Sequence, residues 1–127
     1  MNQMPAHFFK VRLELARETG HPGGDRETGY EFVAPLDDDG RIDTHLWQHN
    51  AAPCPARFFA RGQEDRHGTL ARTEGGEWFF DYDPAAAIDD EYGYRFGDER
   101  FVRGEYVSIA DTAGKTHTYR VIQVEKP

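Results

Sequence analysis

The chain has 127 residues, enough for one domain around one core. Its 23 Asp plus Glu against 15 Lys plus Arg leave a net charge of −8, and no run of basic residues interrupts that balance, so nucleic acid is not an expected partner. No apolar stretch approaches the length of a membrane span, MNQMPAHFF lacks the basic and apolar parts of a secretion signal, and the lone Cys54 has no internal disulfide partner. The expected setting is the cytoplasm, with no membrane partner.

Phe9, Val11, Leu13 and Leu15 alternate with Lys10, Arg12 and Glu14, the period of a strand with one buried face; Phe8 breaks the pattern. ETGHPGGDRETG is rich in Gly and carries a Pro, which predicts a long hairpin loop. GYEFVAPL alternates again, with Tyr30, Phe32, Ala34 and Leu36 on one face. The segment PLDDDGRIDTHL resembles part of an EF-hand loop. With Gly40 as the turn glycine, Asp37, Asp39 and Asp43 take the third, fifth and ninth positions, but the first and twelfth are Pro35 and Leu46. The bidentate closing carboxylate is missing, so the segment predicts an acidic turn and then a short helix, Thr44 to Asn50, capped by Asp43 or Thr44.

ARFFARG predicts a further strand and QEDRHG a turn. RHGTLAR and EWFFDYD flank Gly75 and Gly76, a pair suited to a two-residue primed hairpin turn, and Trp78, Phe80 and Tyr82 share one face of the second strand. A helical turn is expected near Pro84 to Asp89. FVRGEYVSIAD and THTYRVIQVEK predict a last hairpin. In its second strand Tyr119 and Val121 share one parity while Ile122 and Val124 share the other, which calls for a bulge or for cover on both sides. Together these segments predict an all-β fold, an antiparallel barrel or sandwich of about seven or eight strands with one or two short helices. The expected core draws on Phe9, Val11, Leu13, Tyr30, Phe32, Trp78, Phe80, Val107 and Ile109.

GYEFVAPL, DGRID with the following Trp47, FDYDP and FVRGEYVSI together resemble segments of a group of short bacterial proteins without a known activity, over most of the chain after Gly29. That resemblance implies no catalytic residue. The glycine ahead of YVSI and the hairpin ending in YRVIQV are similar to strands of SH3-like barrels.

Catalytic signatures are sparse. Ser108 lies mid-strand without a GxSxG elbow, and Cys54 sits in an extended PCP with no basic neighbour nearer than Arg57, so packing is its expected role. No Walker or dinucleotide loop is present, and no cofactor is expected. His45 and His49 fall on one face of the short helix, with Cys54 and His67 farther on, which makes a candidate zinc-type site. HLWQH nonetheless lacks the glutamate base of HExxH. The other candidate is a tract in which Tyr92, Tyr94 and Phe96 alternate with Gly93, Arg95 and Gly97 beside Asp89, Asp90 and Glu91. Rings beside carboxylates attract cations, although the same rings would also serve to pack a core. The expected function is that of a non-enzymatic module binding a protein partner or a small, cationic ligand through this acidic, aromatic surface. A metal-dependent enzyme built on His45 and His49 is the alternative.

Overall fold

Alternation in FFKVRLEL becomes β1 (Phe8–Leu15), the strand on which the molecule closes. A computed structural model describes residues 7–17, 22–49, 53–82, 99–110 and 115–127, together with the backbone of 91–93. After β1 come β2 (Asp25–Pro35), α1 (Thr44–Gln48), β3 (Pro55–Phe59), β4 (Arg66–Arg72), β5 (Trp78–Tyr82), β6 (Glu91–Gly93), β7 (Tyr106–Ala110) and β8 (Thr116–Glu125). The fold is all-β. Seven strands form a strongly curled antiparallel sheet, short β6 bridges β5 to β7, and the ring closes where β1 pairs with both β2 and β8. Pairing of β1 with both neighbours covers the edges that β2 and β8 would otherwise present there, while β6 meets β7 through the single pair Tyr92 and Ala110.

Two irregularities in β1 shape this closure. Arg12 pairs with Gln123 but Leu13 pairs with Val121, so Ile122 is the extra residue and β8 carries a bulge, the first of the two outcomes its parity allows. Val124 and Val121 can then both pack toward the interior while Ile122 turns outward. On the other side, Glu14 pairs with Gly29 but Leu15 pairs with Asp25. Consequently Asp25–Gly29, predicted as loop, belongs to β2: the ladder continues past an insertion that sequence composition alone reads as a break. Gly29 permits this close crossing, because a Cβ there would lie 1.9 Å from the Leu13 carbonyl oxygen.

The interior is filled largely by aromatic rings. Tyr30 touches Phe58, Phe80 and Tyr119 at centroid distances of 5.0, 5.1 and 5.1 Å, while Phe32 meets Phe80 and Phe101 at 5.5 and 5.4 Å. Val11, Leu13, Trp78, Val107 and Ile109 are buried as the alternation predicts. Phe9 is a correction: it is only partly buried against the core, whereas Phe8, the residue that breaks the alternation, is fully buried. α1 leans on this core through Leu46 and Trp47, and the Trp47 indole N–H donates to the Leu70 carbonyl.

The turns also differ in detail from expectation. Between β4 and β5 only Gly76 has a positive φ, of 90°, and its N–H bonds the Thr73 carbonyl at 3.0 Å. Thr73 and Glu77 close the loop, so the hairpin is a three-residue turn ending in a left-handed glycine, not a two-residue primed one. The acidic turn repeats the design: Asp37 and Arg41 close it, Gly40 has φ 85°, and the Asp37 carboxylate accepts the N–H groups of Asp39 and Arg41. Asp43 caps α1, its Oδ1 accepting the Leu46 N–H at 3.0 Å. The helical turn expected near Pro84 to Asp89 lies outside the described residues.

Candidate functional site

The outer face of β1, β2 and β3 carries a cross-strand ladder of charges, and that ladder determines which side chains remain available nearby. Register places Arg12 opposite Glu31 and Glu31 opposite Arg57. Arg12 bonds Glu31 at 3.1 Å and Glu14 at 3.0 Å; Arg57 bonds the other Glu31 oxygen and reaches Asp65 at 2.7 Å. Both guanidinium groups also lie over the Phe59 ring, 4.4 and 5.0 Å from its centre. Burial by itself would raise the Glu31 carboxyl, but the bonds from Arg57 and then Arg12 overcome it and hold its pKa below the ordinary value.

A pH dependence follows, and its sign is set by that lowered pKa. The stabilisation is complete above the unfolded glutamate pKa of about 4.3 and is lost as pH falls through the folded value. Glu31→Gln should therefore be less stable than the parent chain near neutral pH, and the gap should close toward about pH 3. Urea midpoints across that range check it; a gap independent of pH would show that the ladder does not stabilise through ionised Glu31.

Next to this ladder, where the end of the β1–β2 hairpin meets the outer face of β8 and β7, lies a groove of about 640 Å³. Its lining includes Arg17, Arg26, Arg120, Thr118 and Tyr106. Two carboxylates also border it, and both are already engaged. Glu14 is held by Arg12. Asp25 accepts the Glu27 N–H at 2.9 Å, the Thr28 hydroxyl at 2.8 Å and an Arg61 guanidinium at 3.2 Å; these contacts hold its carboxyl below the usual range. Glu14 is the cross-strand neighbour of Arg120 but bonds Arg12 instead, and among the described residues Arg17, Arg26 and Arg120 form no ion pair. In a protein of net charge −8, the described lining of this groove carries more positive than negative side chains, and its carboxylates are bonded to other arginines.

The residues expected from sequence fare differently. His45 and His49 are brought together, with ring centroids 4.3 Å apart on exposed α1, and the His49 Nδ1–H donates to the His45 carbonyl at 2.9 Å. Cys54 does not join them as an available thiol: it is buried in the core, and burial pushes its pKa up to about 11. His67 is exposed on β4 opposite Arg57. Among the described residues no group of three or more His, Cys, Asp or Glu side chains could hold a metal. Asp89, Asp90, Tyr94 and Phe96 lie outside the described residues. Glu91 and Tyr92 belong to β6 through their backbone, which sets Tyr92 opposite Phe79 and Ala110.

No family model, curated protein or solved structure matches the chain. The groove therefore has to be read from its own chemistry. Sequence reasoning missed it because Arg17 and Arg26 flank one hairpin loop while Arg120 comes from a strand about a hundred residues later.

Proposed function

We propose that the protein is a small β-barrel binding module that takes an anionic ligand in the groove between the β1–β2 hairpin end and the outer face of β8. The observation that carries this reading is the presence on one concave surface of three arginines that form no ion pair among the described residues, while the adjacent carboxylates of Glu14 and Asp25 are bonded to Arg12 and Arg61. Arginine presents planar paired N–H donors that match carboxylate or phosphate oxygens, and leaving three such forks in water beside each other favours an incoming anion. Binding rather than turnover fits the described lining, whose two carboxylates, Glu14 and Asp25, are bonded to Arg12 and Arg61 instead of standing free to act as a base.

Titration with inorganic pyrophosphate, followed by calorimetry or amide chemical shifts, tests the reading. Binding should weaken as salt rises, because charges at a solvent-open site are screened over about 8 Å at physiological ionic strength. Arg120→Gln removes one charge-assisted contact and should weaken binding roughly ten- to a hundredfold, with the melting temperature unchanged. Absence of binding in the parent chain, or equal binding in the variant, would refute the proposal.

A further inference from the structure

Beside the arginines stands a residue that a bare anion does not need. Tyr106 is 60% exposed, the most exposed large apolar side chain among the described residues, and it lines the same groove. It is also the cross-strand partner of Arg120, so the ring and one of the unpaired guanidinium groups occupy neighbouring positions on β7 and β8. Exposing a tyrosine ring to water forgoes the burial that every other described aromatic of this barrel, apart from partly buried Phe9, Trp47 and Phe79, largely obtains. A planar group lying on that ring would recover it.

Resting on the anion-binding reading above, we infer that the ligand is a phosphate monoester carrying a planar ring, the size of a mononucleotide, with its phosphate among Arg17, Arg26 and Arg120 and its ring against Tyr106. Size supports the assignment. The groove's volume of about 640 Å³ lies in the range of about 300–1,000 Å³ that accommodates drug-sized ligands, and a free phosphate would fill little of it. Valence supports the phosphate: a monoester offers three terminal oxygens at a charge near −2 to three guanidinium forks, whereas one carboxylate offers two oxygens and a single charge. A polymer is disfavoured, since a nucleic-acid strand would run from the groove across a surface that carries the remaining net negative charge. Thr118, two residues before Arg120 and bonded through its carbonyl to the N–H of Ala16, the neighbour of Arg17, adds a hydroxyl that can donate to a phosphate or sugar oxygen.

Three probes on the intact chain separate the parts. Adenosine 5′-monophosphate supplies ring and phosphate, ribose 5-phosphate the phosphate without the ring, and phthalate a ring with carboxylates. Adenosine 5′-monophosphate should bind about tenfold or more tightly than ribose 5-phosphate, since stacking on an aromatic side chain is worth that much. In Tyr106→Ala this margin should vanish while ribose 5-phosphate binds as before, and Tyr106→Phe should retain it. The ring is exposed, so both variants should keep the parent melting temperature. Equal affinity for the two phosphates overturns the ring assignment and leaves the anion reading standing. Phthalate binding as tightly as adenosine 5′-monophosphate overturns the phosphate. Failure of both phosphates and of pyrophosphate overturns the anion reading itself, and this inference with it.

Discussion

Replacing Phe80 by alanine is expected to cost the domain about 3–5 kcal/mol, the penalty for deleting a fully buried ring that its neighbours cannot replace. Phe80 is 0% exposed and stands between Tyr30, 5.1 Å away, and Phe32, 5.5 Å away, so its loss strips contacts from the two rings that link β2 to the rest of the interior. Domains of this size hold only about 5–15 kcal/mol in all, and the melting temperature should fall by roughly ten degrees or more. Phe79 provides the comparison: it is next in the chain, faces the other side of β5 and is only half-buried, so Phe79→Ala should cost clearly less. Similar losses in the two variants, measured by denaturant unfolding, would show that the inward and outward faces of β5 are wrongly assigned.

Gly29→Ala should be nearly as damaging, for a different reason. The new methyl would be directed into the Leu13 carbonyl oxygen at 1.9 Å and the Glu14 Cα at 3.1 Å, both backbone atoms that no rotamer change can move aside. Relief requires β1 and β2 to separate next to the irregularity that ends their regular pairing, and overpacking of this kind costs about 1–3 kcal/mol, more where backbone must shift. The effect should reach about 3 kcal/mol. Gly75→Ala is the control, because its Cβ would meet only the Thr73 hydroxyl oxygen at 3.7 Å and the change removes freedom from the unfolded chain. That variant should be neutral or slightly stabilised, by up to about 1 kcal/mol. A tolerated Gly29→Ala would mean that the two strands do not cross as closely as described.

Much of the candidate site lies on surfaces that hydrophobic pattern does not report. Arg17 follows a well-patterned strand, Arg26 sits in a glycine-rich segment, and Arg120 is an outward residue of β8; singly, each reads as an ordinary solvated charge. No spacing connects them, because the ring brings β8 beside β1 across more than a hundred residues of chain, and the insertion at Leu15 and Asp25 then sets how far the hairpin end advances over that surface. Nor could composition show that Glu14 and Asp25 are occupied by Arg12 and Arg61, which is what leaves the groove positive. His45 and His49 were legible as a pair because four residues on one helix suffice to place them together; whether Cys54 could join them depended on which way its thiol faces, a tertiary matter.

Local pattern alone determined that this chain is all-β, since alternation in FFKVRLEL after Phe8, in GYEFVAPL and in EWFFDYD suits a pleated strand and no long segment keeps a helical period. It also narrowed β8 to a bulge or to cover on both sides, because Val121 and Val124 cannot both face inward at a regular period of two, and the register decides for the bulge. Only the tertiary structure decided that Phe8 rather than Phe9 is fully enclosed, that Gly29 must remain bare, and that three distant arginines share one groove with an exposed tyrosine. The reason is common to all of them. Alternation specifies which side of a strand is apolar, but the neighbours across a strand are chosen by register and closure, which are properties of the whole ring.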